Sequence, residues 1–187
     1  NGYFATRGAA PESSAGKVHY PGTYVAGVYN RLKSTVSGET VENESLVNVP
    51  NWLPLSFCID DGEPFEADSA DIIEYQQELD LQCGLFERRV RFQDDQGRRT
   101  RLVQRRFVHM RHRHVGGLET TIKAENWSGT LHIRSALDGR VENTLVERYR
   151  QLNNHHLEPL GAGVTDDGLM WIQVMTNQSK IRIAEAG

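Results

Sequence analysis

Residues 86–110, FERRVRFQDDQGRRTRLVQRRFVHM, carry the pattern that decides the fold. Phe86, Arg88, Val90 and Phe92 fall on one side of an extended chain, and Glu87, Arg89 and Arg91 on the other. Apart from Arg88 this is apolar on one face and charged on the opposite one, the period of two that marks a half-buried strand. Asp94-Asp95-Gln96-Gly97 follows, with Gly97 free to take a positive φ, and Thr100–Met110 returns as the second arm of a hairpin. Turn residues then recur about every 8–12 residues in both directions. Val115–Ala124 reads as a further strand. Asn126-Trp127-Ser128-Gly129 turns into a strand over Thr130–Leu137, which places Leu131, Ile133, Ser135 and Leu137 on one face. Asp138-Gly139 turns the chain again, and Leu169–Thr176, with Trp171 among its large apolar residues, is a late strand. Ser69–Glu78 has the best helical pattern, with Asp68 or Ser69 as N-cap, yet Ile72, Ile73 and Tyr75 suit a strand equally well and its second half is expected to be extended. Residues 10–18, APESSAGKV, are expected to form a loop. Antiparallel strands without βαβ alternation argue for an all-β sandwich.

The chain has 187 residues, 38% apolar and 25% charged, which suits a globular protein of one large domain or two small ones. A chain of this length buries enough surface to need no disulfide staples. Its net charge of −4 does not recruit nucleic acid or anionic membrane. Cys58 and Cys83 lie in separate apolar segments and read as two buried thiols in a reducing cytosol, with a disulfide left open by sequence alone. No apolar run approaches the roughly 18–20 residues of a membrane span. The chain opens without Met and inside a motif, as a piece of a longer polypeptide would.

The stretch 19–57, HYPGTYVAGVYNRLKSTVSGETVENESLVNVPNWLPLSF, is dense in Gly, Pro, Asn, Tyr and Trp. It contains Pro21, Gly22, Tyr24, Gly27 and Tyr29-Asn30, and then Leu46-Val47-Asn48-Val49-Pro50-Asn51-Trp52. Gly2-Tyr3 and Arg7-Gly8 precede it. Leu79-Asp80-Leu81 with Gly84-Leu85, Arg106-Phe107, Asn126-Trp127-Ser128-Gly129 and Ala136-Leu137-Asp138-Gly139 follow in order. In this order and spacing the chain resembles the N-terminal domain of glycoside hydrolase family 65, the family of maltose, trehalose and kojibiose phosphorylases and related hydrolases.

The resemblance implies that residues 1–187 form one β-super-sandwich of two large antiparallel sheets, similar in fold to galactose mutarotase. It implies that the catalytic (α/α)6 barrel, with a Glu as general acid, lies outside this chain. In such phosphorylases inorganic phosphate attacks the anomeric carbon with inversion, and in the hydrolases a base-activated water does so. No cofactor is implied beyond phosphate as co-substrate. The partners implied are the barrel of the same polypeptide, an α-linked disaccharide bound through the parent enzyme and a second copy in a homodimer, and the location is cytoplasmic. Neither nucleic acid nor a membrane is expected as a partner. Tyr24, Tyr29, Asn30, Asn51 and Trp52 are the candidates for the substrate side or the barrel interface. Aromatic rings stack on the C–H faces of sugars and Asn amides donate and accept at once; the competing reading is that the same residues pack the sandwich.

Other constellations favour structural roles. The basic run RRTRLVQRRFVHMRHRH, 98–114, invites a nucleic-acid reading, but alternation distributes it over both faces of a sheet, with Asp94, Asp95, Glu87 and Glu119 available as partners. His109, His112, His114, His155 and His156 suggest a metal, yet only His112 and His114 share a face of an extended strand, and two imidazoles make a weak zinc site. Asp60-Asp61, Asp94-Asp95 and Asp166-Asp167 stand beside glycines, a turn signature. Gly161-Ala162-Gly163 is too short for a phosphate loop. Two other functions are weighed. A mutarotase-like epimerase would use His132 or His109 with Glu119, and a stand-alone carbohydrate-binding module would stack sugars on Trp52, Trp127 or Trp171.

Overall fold

The computed structural model describes residues 1–143 and 151–187. Among them there are thirteen strands and no helix. Hydrogen bonding gathers the strands into small sheets, one of four strands, one of three and three of two. Close backbone packing groups the chain into two units, one of Leu55–Arg134 with Asn1, the other of Gly2–Pro54 with Ser135–Gly187.

The first unit is built on β6 (Asp71–Asp80), β7 (Leu85–Gln93), β8 (Arg99–Val108) and β9 (Gly116–Ala124), an antiparallel meander. The hairpin expected from 86–110 is the β7–β8 pair, with Val90 opposite Leu102 and Phe92 opposite Thr100. The helical reading of Ser69–Glu78 gives way to strand from Asp71 onward, where β6 pairs with β7 along its length apart from a bulge at Ile73. Phe57 of β5 (Leu55–Ile59), Phe65, Val90, Phe92 and Leu102 form the core, with the Phe65 and Phe92 rings 4.2 Å apart. Short β10 (Leu131–Ser135) pairs with β5. Its Ile133 is exposed, so only Leu131 of the expected inward face packs on the core.

Arg88, the exception in the pattern, is 2% exposed. Its Nη1 donates to Gln104 Oε1 at 2.9 Å, and its guanidinium lies 5.3 Å from the Tyr75 ring centre. Arg106 shares this face, 4.5 Å over Phe86, and burial, together with the Arg88 charge, pushes its pKa down to about 10. On the opposite face ion pairs offset part of the basic charge. Glu87 accepts from Arg105 and pairs with Arg89, while Glu125 takes Arg91 at 2.9 Å and Arg101 at 3.6 Å.

The second unit contains β1 (Phe4–Thr6) with β2 (Thr23–Val25), β3 (Tyr29–Val36) with β4 (Glu39–Leu46), and β11 (Leu157–Val164), β12 (Met170–Thr176) and β13 (Arg182–Ala186) in that spatial order. Ser37 and Gly38, both at positive φ, make the two-residue turn of the β3–β4 hairpin, the mirror-image geometry that suits a tight hairpin. Gly161 and Gly163 face Trp171; a Cβ on Gly163 would lie 3.0 Å from the indole nitrogen, so these glycines make room for the ring. Val28, Val47 and Val49 form a small core.

Much of this unit is joined by side-chain amides. Asn48, 3% exposed, accepts the Thr23 N–H at 2.9 Å and donates to the carbonyls of Glu142 at 3.1 Å and Pro21 at 3.4 Å. Asn143 accepts the Asn48 N–H at 2.8 Å and donates to the Leu46 carbonyl at 2.8 Å. Asn30 Oδ1 accepts the N–H groups of Gln178 and Ser179, while its Nδ2 donates to Asn177 Oδ1 at 2.7 Å and to His156 Nδ1 at 3.1 Å. With Oδ1 committed to two backbone donors, the orientation of the Asn30 amide is fixed. His156 Nδ1 must therefore accept, and the imidazole is neutral with its proton on Nε2. Burial, and then the neighbouring His155, holds the His156 pKa below the ordinary imidazole value.

Truncating Asn48 to Ala strands two or three buried backbone groups, at a cost of about 1–3 kcal/mol each, and urea unfolding of N48A is expected to show a loss of that order. Two side chains should give opposite pH limbs. Neutral His156 must be protonated to unfold in acid, so its contribution is complete above about pH 6.5 and is lost as the pH falls below it. Glu185 behaves in reverse. Its buried Oε2 has no hydrogen-bond partner among the described residues, and burial raises its pKa to about 8. The unfolded chain gives up that proton first, so stability declines as pH rises from about 4.5 towards 8. E185Q should flatten this upper limb and stabilise the chain at pH 8, on the order of 2–3 kcal/mol. H156Q should flatten the lower limb whatever its absolute stability, as read from unfolding midpoints across pH.

Candidate functional site

In the second unit the β1–β2 segment, the β4 end of the hairpin and the chain around 152–156 line a cleft of ≈ 470 Å³. Arg7, Tyr20 and Tyr24 form one wall, with the Arg7 guanidinium 4.0 Å over the Tyr20 ring and 5.6 Å from the Tyr24 ring. Asn43 through Leu46 form another, and Asn143, Leu152, Asn153, Asn154 and His156 complete the lining. The amide network positions these walls. Asn143 carries the Leu46 carbonyl, the Asn143 N–H bonds the Asn154 carbonyl, and Asn153 N–H reaches Ser34 Oγ of β3 at 2.7 Å. Glu44 is engaged by Arg31 at 2.9 Å across the hairpin.

Of the five residues proposed for the substrate side, Tyr24 lines this cleft. Tyr29 is exposed at the start of β3. Asn30 is 1% exposed, with both ends of its amide committed inside the unit. Asn51 is buried; its Oδ1 accepts the Leu53 N–H at 3.2 Å and its backbone bridges Asp138. Trp52 is half-buried, tilted against Phe4 with ring centres 6.0 Å apart. The structure thus gathers Asn30 and Asn51 into the frame, and it adds Arg7, Tyr20, Asn43, Asn143, Asn153 and Asn154 to Tyr24. The hairpin signal at Ser37-Gly38 was available to place Asn43, but nothing local ties residue 143 or 154 to it.

The remaining constellations resolve into structure. His112 and His114 stand in the turn between β8 and β9, not in a strand, and His109 Nδ1 accepts the N–H groups of Arg111 and His112. Among the described residues no group of three or more His, Cys, Asp or Glu is placed to hold a metal ion. Glu119 faces Arg105 at 3.9 Å, and His132 is exposed on β10. Asp60 and Asp94 stand at turns as expected, whereas Asp138 is held in an antiparallel bridge with Asn51. Asp60 accepts the Thr130 N–H and an Arg98 N–H, Asp94 accepts the N–H groups of Gln96 and Arg98, and Asp138 that of Arg140. Both cysteines are free, and Cys83 is exposed in the β6–β7 turn, where sequence placed it in the core. The three indoles are each half-buried. Trp127 donates to the Arg99 carbonyl at 3.1 Å and to Thr100 Oγ1 at 3.0 Å, and Trp171 lies over Gly161 and Gly163.

Comparison with known proteins matches the whole of residues 1–187 to the glycosyl hydrolase family 65 N-terminal domain. An uncharacterized glycosyl hydrolase of Mycobacterium tuberculosis is 49% identical over 186 residues, which cover all of this chain and 14% of that protein. The trehalose 6-phosphate phosphorylase of Lactococcus lactis is 35% identical over 184 residues, 98% of this chain and 23% of its own length. The kojibiose phosphorylase of Halothermothrix orenii is 31% identical over 187 residues, all of this chain and 22% of the phosphorylase. The chain therefore spans less than a quarter of these relatives, and it belongs to glycosyl hydrolase family 65 as that family's N-terminal domain.

Proposed function

We propose that this chain is the non-catalytic N-terminal domain of an inverting family 65 phosphorylase or hydrolase acting on α-glucosidic disaccharides. One observation carries the reading. The family match takes up the whole chain, yet the matched part makes up less than a quarter of the relatives named as phosphorylases. The chemistry is then assigned to a following (α/α)6 barrel, whose Glu protonates the leaving oxygen while phosphate or an activated water attacks from the opposite face of the sugar. Phosphate arrives as an anion and needs a cationic or N–H-lined pocket rather than a protein base.

In this reading the small sheets seen here are parts of a mutarotase-like super-sandwich that braces the barrel and contributes to a dimer, in the cytoplasm. The all-β architecture supports it, as does the commitment of the carboxylates Asp60, Asp94 and Asp138 to backbone donors. The ion-pair ladder of Glu87, Arg105, Arg91 and Glu125 supports it too, because a charge-compensated face offers a phosphate backbone little.

The 187-residue chain alone is expected to release neither glucose nor glucose 1-phosphate from trehalose, kojibiose or maltose, with or without phosphate, in a coupled enzymatic assay. A parent polypeptide containing the downstream region should do so. Turnover by the chain alone, or anomer interconversion abolished by H132A or H109A, would replace this reading with an enzyme built on the β-domain itself.

A further inference from the structure

We propose that the cleft lined by Tyr24, Asn43, Asn153, Asn154 and His156 is a binding site for a neutral, hydroxyl-rich small molecule, a mono- or disaccharide in chemical class. The site lies wholly within the second unit and is distinct from the docking role above. It does not depend on whether the longer protein uses phosphate or water.

Charge sets the class first. The two formal charges on the lining are already engaged, Arg7 over the Tyr20 ring and Glu44 by Arg31. The two are of opposite sign, so an anion would face Glu44 as well as Arg7 and a cation Arg7 as well as Glu44, whereas a neutral ligand exchanges water for amides at little desolvation cost.

Hydrogen-bonding capacity sets it next. Asn43 spends its Nδ2 on Ser45 Oγ, Asn154 spends its Nδ2 on Glu142, and Asn153 spends its Oδ1 on the His155 N–H. Among the described residues this leaves the Asn43 and Asn154 carbonyl oxygens as acceptors and the Asn153 amide as a donor around one cleft. Sugar hydroxyls, each donor and acceptor, match a mixed set of this kind. The Tyr24 ring, Leu46 and Leu152 supply apolar surface for C–H faces. The volume of ≈ 470 Å³ lies within the roughly 300–1,000 Å³ of small-molecule sites.

His156 adds an independent sign. It is 2% exposed, it lines the cleft, and its Nδ1 is taken by Asn30. Its Nε2, which the Asn30 geometry makes the protonated nitrogen, is buried without a partner among the described residues. A buried donor lacking an acceptor is rare in a folded protein. The accessible surface of this nitrogen is below 1 Å², so a ligand oxygen supplies the acceptor once the wall at His156 shifts to admit it; an ordered water is the competing occupant.

The test is a two-dimensional ¹H–¹⁵N titration of the 187-residue chain with glucose, maltose, kojibiose and trehalose, with glycerol and glucose 6-phosphate as controls. The expected result is a saturable shift with a roughly millimolar Kd for at least one neutral sugar. It should be confined to the amides of Asn43–Leu46 and Asn153–His156 and accompanied by a shift of the His156 imidazole Nε2 signal. Y24A should weaken this about tenfold, by loss of ring contact worth on the order of one hydrogen bond. N154A, which removes one free acceptor and leaves Tyr24 in place, should weaken it several-fold with the rest of the spectrum preserved. Absence of saturation at concentrations a hundred times higher, equal shifts with glycerol, shifts mapping elsewhere, or tighter binding of glucose 6-phosphate at the cleft would each overturn the proposal.

Discussion

The second unit depends on side-chain amides taking the place of sheet hydrogen bonds. Its sheets have two or three strands, so much of its backbone runs through turns and crossings where no neighbouring strand offers a partner. Buried N–H and C=O groups without partners are costly, and each crossing therefore needs a group that both donates and accepts. Asn48 serves backbone groups at 21, 23 and 142, Asn143 joins residues 46 and 48, and Asn30 serves the turn at 178–179. The asparagine-rich composition of 30–51 thus has a structural cause before it has any functional one.

The first unit solves the same problem differently. A four-stranded meander satisfies its own backbone, and the side chains are left to distinguish its faces. Where β5 and the segment through Phe65 cover the sheet, the facing residues are Phe92, Val90 and Leu102. Further along the same face stand Arg88, Gln104 and Arg106, all buried, with the arginines seated over the rings of Tyr75 and Phe86. On the reverse face Arg105 holds the Glu87 carboxyl below the usual carboxylate range, and Arg91 does the same for Glu125. A run that reads as basic along the chain is partly offset in space, because the fold brings Arg98 to Asp60 and Asp94, Arg101 to Glu125, and Arg105 to Glu87.

The candidate cleft follows from the amide frame. Asn143 and Asn30 are fully committed and hold the walls, while Asn43, Asn153 and Asn154 each retain one free end. The same residue type thus builds the frame and offers hydrogen bonds at its surface. Asn30 and Asn51 carry the same amide as Asn43, Asn153 and Asn154, and only their partners separate them.

The period of two in 86–92, the Asp and Gly residues at the turns and the order of motifs along the chain were enough to establish strands, the β7–β8 hairpin and the family, since these depend on neighbours in sequence. Arg88 was visible as a break in that pattern, though not its seat against Gln104. Local signals were ambiguous where partners decide. Asp71–Asp80 became strand because β7 was there to pair with it, and His112 and His114 entered a turn because β8 ends at Val108. The cleft was decided by tertiary structure alone. Its walls are joined by bonds such as Asn143 to the Leu46 carbonyl and Asn30 to His156, which span 97 and 126 residues of chain, and an amide carries no mark in the sequence of which distant group it will meet.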